Sequence, residues 1–306
     1  MKGQILKILR AESDVVSGET LSSHLKISRV SIWKHIKKLR EFGYHIQATP
    51  KGYRLINDPD VLFPWEFGDR ELKIHYFDEV TSTMDVAGNL AKNNAPHFTV
   101  VIAGCQSKGR GRLKRTWVSS QGGLYFSIIL RPEIPPVLSS RVNFAASMIL
   151  ARTLRNRFHI DARVKWPNDI LVHEKKVAGL LSEMEAETDR VKFINIGMGV
   201  NVNNDPTPRE PMATSLNKIL GRNISRKRLL SEFLDEFEHR MNYGTLENVI
   251  SEWKTHAMTI GRQVTIVTSH DEFKGLVMDV DNTGALMLKL ADGSIKKIIY
   301  GDCFHT

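Results

Sequence analysis

The chain has 306 residues, 42% of them hydrophobic and 25% charged, with a formal net charge of +9; this describes a folded protein long enough for two or three domains, and excludes a disordered or fibrous chain. No run approaches the roughly 18 apolar residues of a membrane span, and the start Met1-Lys-Gly-Gln-Ile-Leu-Lys lacks the apolar core of a signal peptide. Two cysteines, Cys105 and Cys303, and eleven histidines without ligand spacing form neither a disulfide framework nor a zinc motif, so the expectation is a cytoplasmic protein with reduced thiols, no membrane contact and no resident metal site.

The basic excess is concentrated at the N-terminus, where residues 1–60 carry eleven Lys and Arg against six Asp and Glu. Such asymmetry points to phosphate neutralisation on a nucleic acid. Ile5, Leu6, Ile8 and Leu9 predict an amphipathic first helix. Gly18-Glu-Thr-Leu21 opens a second, which stops at a turn around Lys26-Ile27. A third begins at Ser28, an expected N-cap, and places Val30, Ile32, Trp33, Ile36 and Leu39 at helical spacing. Tyr44 to Leu55 then alternates and turns at Pro50-Lys-Gly52, as a β-ribbon does. Together these segments predict a winged helix-turn-helix over residues 1–60. Ser28, Arg29, Ser31, Lys34, His35 and Lys38 occupy the polar positions of the third helix, where early side chains meet base edges and later cations meet phosphates; Lys51 is the cation of the wing. A small helical protein-interaction module is the alternative reading of the same helices.

Asn57-Asp-Pro-Asp60 is a turn-rich break, and a second domain is expected from Val61. Strands are predicted at residues 73–77, 99–103, 124–130, 162–166, 170–173, 176–184 and 191–202, with helices at 84–93 and 142–157. Strands and helices mix without strict βαβ alternation, so the fold class is α+β with a mixed sheet; neither a Walker sequence nor a Gly-x-Gly-x-x-Gly loop is present. Two amphipathic helices, 226–241 and 246–256, precede short strands at 263–267, 271–279, 285–290 and 295–299, punctuated by Asp281-Asn-Thr-Gly284 and Asp292-Gly293.

Chemistry concentrates in a few stretches. Between Gly104 and Trp117, three glycines alternate with Lys108, Arg110, Arg112, Lys114 and Arg115. Glycine lets backbone N–H groups approach an anion and arginine supplies planar donors for phosphate or carboxylate, so this loop is expected to order when something negative fills it; a solvated basic loop is the plain alternative. Thr81-Ser-Thr83 offers hydroxyls before a helix, as caps or as ligand partners. Lys165-Trp-Pro-Asn-Asp169 packs a cation, an aromatic plate, an amide and a carboxylate into five residues, more than a turn needs. Lys176 opens an apolar strand, either as a site cation or as an ordinary surface charge. Gly197-Met-Gly-Val-Asn201-Val-Asn203 ends another strand in glycines and amides, as where a ligand nears the backbone.

Ser82-Thr83, Gln106, Gly109-Arg-Gly-Arg112, Trp117, Lys165-Trp-Pro-Asn-Asp169, Lys176-Val-Ala-Gly179 and Gly197-Met-Gly-Val-Asn201 occur in the order and approximate spacing of the biotin protein ligases. With the winged helix in front, the whole chain resembles the bifunctional type, at once biotin-[acetyl-CoA-carboxylase] ligase and biotin operon repressor. The resemblance implies an SH2-like central ligase domain over 61–258 and an SH3-like C-terminal barrel over 259–306. It also implies that Ser82, Thr83, Met84, Gln106, Arg110, Gly111, Arg112 and Lys176 line the site for biotin and biotinyl adenylate, bordered by Gly179 and Asn201. The implied reaction uses biotin and ATP as substrates with Mg2+, forms biotinoyl-5′-AMP, and transfers biotin to a lysine of a biotin carboxyl carrier protein. Lys176, Arg112, Lys165 and Asp169 are its expected catalytic residues, and a homodimer on operator DNA its expected regulatory form. Met84 stands where the family has a small polar residue, leaving only a backbone contact there. Lys114 replaces a loop glycine. A lipoate or octanoate ligase, and a repressor with a degenerate ligase domain as ligand sensor, are the competing readings.

Overall fold

The computed structural model describes residues 1–12 and 14–305, in two compact units, Met1–Leu72 and Lys73–Thr306.

The first unit contains α1 (Lys2–Ala11), α2 (Gly18–Leu25), α3 (Arg29–Glu41) and an antiparallel ribbon of β1 (His45–Thr49) and β2 (Gly52–Asn57). Its short helices begin at side-chain caps: Ser17 Oγ accepts from the Thr20 N–H at 2.9 Å, and Ser28 Oγ from the Ser31 N–H at 3.2 Å. Lys26 in the left-handed region makes the turn between α2 and α3. Ile32, Ile36 and Leu39 share one stripe of α3 and are buried with Ile5, Leu6, Leu9 and Leu21. Val30 and Trp33, at apolar spacing in the sequence, lie off that stripe and are 64% and 53% exposed. The ribbon is pinned to the chain before α2 because Val16 and Tyr53 exchange both backbone hydrogen bonds. Only glycine fits beside them at position 52, where φ is +146° and a Cβ would stand 2.1 Å from the Val16 carbonyl oxygen.

The boundary expected after residue 60 falls instead after residue 72. Val61 and Trp65 pack on the first core, Trp65 Nε1 donates to the Tyr44 hydroxyl at 3.0 Å, and Arg10 bridges Asp58 at 2.6 Å and Glu66 at 2.9 Å. The Asn-Asp-Pro break is a corner within the unit, after which the chain folds back over its own core.

The second unit is built on a seven-stranded sheet. Its elements, in chain order, are β3 (Ile74–Val80), α4 (Thr83–Lys92), β4 (Thr99–Gln106), β5 (Leu124–Leu130), α5 (Ser139–Phe158), β6 (Arg163–Lys165), β7 (Asp169–Val172), β8 (Lys175–Ala186) and β9 (Val191–Val200). The strand order is β3-β4-β5-β9-β8-β7-β6, antiparallel except for the parallel pair β3 and β4. This is the mixed sheet of an α+β fold. Consecutive residues of β5 point to opposite faces. Ile129 joins the cluster of Ala87 and Ala91 on α4, whereas Phe126 meets Phe233 of α7 (Arg226–Tyr243) at a ring separation of 5.7 Å. Covered on both faces, β5 is buried throughout.

After α6 (Leu216–Leu220), α7 and α8 (Val249–Lys254) comes an antiparallel sheet of β10 (Gln263–Val267), β11 (Glu272–Val280), β12 (Leu286–Lys289), β13 (Ile295–Ile298) and β14 (Asp302–His305), in the order β13-β12-β11-β10-β14. Trp166 ties this sheet to the central one: its N–H donates to Thr259 Oγ1 and its indole to the Gly284 carbonyl, each at 3.0 Å. That attachment brings β14 beside the basic loop.

Candidate functional site

A cavity of about 210 Å³ opens over β8 and β9 beside the N-terminus of α4. Its floor is glycine because an aromatic plate lies on it. Gly179 and Gly199 are paired across the two strands; a Cβ on Gly199 would stand 2.3 Å from Trp117 Cε2, and one on Gly179 2.8 Å from Trp117 Cζ3. The Lys176 ammonium sits 5.2 Å from the centroid of the same indole and 2.7 Å from Asp169 Oδ1. Trp117 Nε1 is buried with no protein hydrogen-bond partner.

At the α4 end a hydrogen-bonded string of polar groups reaches the wall through Thr83 and Gln106. Ser127 Oγ donates to Thr83 Oγ1 at 2.8 Å, the Thr83 N–H and hydroxyl reach Gln106 Oε1 at 2.7 and 3.1 Å, and Gln106 Nε2 donates to Ser119 Oγ at 2.8 Å. Ser82 caps α4, accepting from the Met84 N–H at 3.2 Å. The backbone donor expected of Met84 is thereby used inside the helix, and its side chain instead covers Gly197, where a Cβ would meet Met84 Sδ at 2.7 Å.

The basic loop closes the other side. Trp117 N–H donates to the Gly109 carbonyl at 2.9 Å and Gly111 N–H to the Arg115 carbonyl at 2.8 Å, which folds residues 109–117 into a tight turn. Leu113 and Lys114 both take positive φ there, so the lysine stands in a conformation that glycine would adopt without strain. Besides the anion expected to fill it, this loop has carboxylate partners within the chain. Arg110 pairs with Asp85 at 2.8 Å and with Glu183, and Arg115 pairs with Asp302 of β14. Arg112 reaches the Gly301 carbonyl at 3.2 Å and Asn168 Oδ1 at 3.4 Å. Burial draws the Arg112 guanidinium below its ordinary range, against the opposing pull of Asp302 and Asp169.

Ser82, Thr83, Met84, Gln106, Arg110, Gly111, Arg112, Asp169, Lys176, Gly179 and Asn201 all border the one cavity, although they span 120 positions of sequence. Asn201 does so as part of a buried amide pair, accepting from Asn204 Nδ2 at 3.0 Å. Lys165 is not among the lining residues; its charge instead depresses Cys303 and His305 on β14, where burial has the larger effect in each case, pushing the thiol up to about 12 and the imidazole down to about 4. Asp302, Met212 and Ala213 line the cavity without having been foreseen. Met212 and Ala213 are placed by backbone alone, through Lys176 N–H to the Met212 carbonyl and Thr214 N–H to the Lys176 carbonyl, both at 2.9 Å.

In the first unit the exposed side of α3 carries Arg29, Val30, Trp33, Lys34, Lys37 and Lys38, and the ribbon exposes Lys51 and Arg54. Of the set expected to face DNA, Arg29, Lys34, Lys38 and Lys51 are exposed cations, Ser28 is exposed and caps the helix, and Ser31 and His35 are half-buried; Lys37 and Arg54 are further exposed cations of the same elements.

Three family models match the chain: an HTH domain over residues 2–54, the biotin/lipoate A/B protein ligase family over 76–201, and the biotin protein ligase C terminal domain over 259–306. The bifunctional ligase/repressor BirA of Bacillus subtilis is 38% identical over 309 residues, covering 96% of this chain and 94% of its own length. The chain belongs to this family of bifunctional biotin ligase/repressors. The Escherichia coli BirA is 30% identical with the same coverage of both chains. A solved biotin protein ligase from Aquifex aeolicus in complex with biotin and ATP superposes with a TM-score of 0.63 at 26% identity, covering 76% of this chain and 98% of that one. Among the described residues, no helix is long and apolar enough to cross a membrane.

Proposed function

We propose that the cavity over Gly179 and Gly199 binds biotin and ATP, joins them as biotinoyl-5′-AMP, and passes the biotinyl group to a lysine of a biotin carboxyl carrier protein. The observation that carries this reading is the convergence of Lys176, Arg110, Arg112 and Arg115 on one cavity that is also lined by Ser82, Thr83 and Gln106, the last two fixed by the hydrogen-bonded string from Ser127 to Ser119. Those hydroxyls and the Gln106 amide suit a compact ureido ring system, which a plain acyl chain would leave unmatched. The cations suit the rest of the reaction. In the first step the biotin carboxylate attacks the α-phosphorus, a P–O bond forms, and the bond to the departing pyrophosphate breaks.

A carboxylate and a phosphate repel each other as they approach, so fixed positive charge near both lowers the barrier. Lys176, held by Asp169 at 2.7 Å, is assigned to the ligand carboxyl and bridging phosphate. Arg112 and Arg110 are assigned to closure over the phosphates, with Gly111 allowing close backbone approach, Gly179 leaving room for the indole plate, and Asn201 closing the floor. Asp169 acts by orienting Lys176. In the second step the acceptor amine attacks the acyl carbon and AMP leaves; the protein's part is to keep water from the mixed anhydride until then. Mg2+ would enter with the triphosphate as part of the substrate and offset the charge of the departing pyrophosphate.

For the regulatory half, α3 and the ribbon bind operator DNA through Arg29, Lys34, Lys38 and Lys51, with Ser28, Ser31 and His35 at the margin. Two copies of the chain on paired half-sites suit a two-fold operator, in the cytoplasm where its DNA lies.

The test is biotin-dependent ATP–pyrophosphate exchange, with lipoate as the control acid. Lys176→Ala should lose on the order of 2 to 4 kcal/mol of transition-state stabilisation, or tens- to hundreds-fold in rate, with an unchanged melting temperature. Near-normal exchange in that variant would remove Lys176 from the chemistry, and exchange driven equally by lipoate would remove biotin.

A further inference from the structure

Beyond phosphate contacts, α3 carries an apolar feature with no role in the core. Val30 and Trp33 are 64% and 53% exposed, while Ile32, Ile36 and Leu39 on the opposite side are at most 1% exposed. Residues 30, 33, 34 and 37 are spaced by three and four, so their side chains meet on one face of the helix. A tryptophan and a valine side by side in water mark a surface that a partner covers. The rim of that surface is cationic: Arg29, Lys34, Lys37 and Lys38 are exposed, and the Lys37 ammonium lies 5.8 Å from the Trp33 ring centroid. Lys51 and Arg54 of the ribbon add two more exposed cations to the same unit. An apolar centre inside a positive rim is complementary to a surface that is negative at its borders and offers an apolar group between them. The major groove has that layout, with phosphates on either side and a single apolar group among its base edges, the C5 methyl of thymine.

We propose that Val30 and Trp33 are specificity-determining residues of α3 that recognise thymine C5 methyl groups in the major groove of the operator half-site. This rests on the DNA-binding reading above and adds to it the chemical class of base that is read. The polar side chains early in α3 are less exposed than Val30 and Trp33 or already carry a hydrogen bond. Ser28 Oγ accepts from the Ser31 N–H, and Ser31 and His35 are half-buried. Arg29 has a loose pairing with Glu19 at 4.0 Å, both being largely exposed, and remains available to phosphate.

The experiment uses the full chain, in the presence of biotin and ATP, to select duplexes from a randomised DNA library. Binding of a selected duplex is then followed by fluorescence anisotropy while each thymidine in turn is replaced by deoxyuridine, which keeps the pairing and the O4 acceptor and removes only the methyl. The expected result is that replacement at one or two positions weakens binding by about fourfold for each methyl lost, the effect of uncovering one buried carbon. Val30→Ala and Trp33→Ala should each weaken binding to the thymidine duplex and abolish the sensitivity at one of those positions, so that the losses do not add. Both side chains are exposed, so the variants should melt with the parent. Enriched duplexes that bind equally well with deoxyuridine throughout would overturn the proposal while leaving operator binding intact. Failure to enrich any sequence would overturn the DNA-binding reading itself, and the proposal with it. A changed sedimentation coefficient of DNA-free Trp33→Ala would assign the face to self-association and overturn the proposal equally.

Discussion

At the scale of single residues, the cavity depends on absent atoms as much as on present ones. Trp117 lies against β8 and β9 only because positions 179 and 199 lack a Cβ. Gly199→Ala would place a methyl 2.3 Å from the indole and push the ring into the cavity. Overpacking of this kind costs about 1 to 3 kcal/mol in a rigid core, but Trp117 belongs to a loop that can give way, so the damage should fall on binding more than on stability. Calorimetric titration should show biotin affinity reduced at least about tenfold with a melting temperature within a few degrees of the parent. Unchanged affinity would show that the indole does not touch the ligand. The glycines were visible in the sequence as a strand ending in Gly-x-Gly, and Trp117 as the end of the basic loop. That one rests on the other was not visible, because the contact joins positions more than sixty residues apart. Lys165 shows how far spacing alone reaches. Four residues from Asp169 and paired with it across β6 and β7, it reads as a neighbour of the site and is one, yet it does not line the cavity itself.

At the scale of elements, the basic loop is held by a strand that no local pattern connects to it. β14 supplies Asp302 to Arg115, and the carbonyl of the preceding Gly301 accepts from Arg112 at 3.2 Å. Hydropathy alternation was enough to reveal β14's neighbours as short strands of a small antiparallel sheet. The pairing of its first residue with a loop nearly two hundred positions earlier depends on how Trp166 docks the two sheets, which periodicity cannot encode. The loop itself was legible as a set of cations, but not its restraint by Asp85, Glu183 and Asp302. Because Arg115 is 60% exposed, its ion pair contributes only about 0.5 to 1 kcal/mol. Asp302→Asn should therefore speed release of the adenylate by roughly two- to fivefold without lowering its rate of formation by more than that. Single-turnover synthesis followed by a chase with unlabelled biotin separates the two rates, and an unchanged off-rate would mean that the C-terminal sheet does not restrain the loop.

At the scale of the whole molecule, helical periodicity found α1, α2 and α3 and alternation found the ribbon, yet the unit they form continues to Leu72. The turn residues at 57–60 signal a change of direction, and in a single sequence a corner inside a domain looks like a linker between domains. What decides the matter is long-range: Trp65 stacks on Phe63 at 4.7 Å and meets Phe42 at 4.9 Å, its indole donates to Tyr44, and Glu66 takes the charge of Arg10. Cutting after residue 60 would strip an aromatic cluster and a carboxylate from the DNA-binding unit, and leave Val61, Phe63 and Trp65 as apolar side chains without a core on the remainder. Fragments 1–72 and 73–306 should each express as soluble protein with a cooperative melting transition, whereas 1–60 should melt at least about 2 kcal/mol less stably than 1–72, the typical consequence of removing a buried aromatic, and 61–306 should aggregate more readily than 73–306. Fragment 73–306 contains every residue lining the cavity and should retain biotin-dependent pyrophosphate exchange while losing operator binding altogether. Equal stability of 1–60 and 1–72 would restore the earlier boundary, and a fragment 73–306 that still selected operator DNA would remove α3 from recognition.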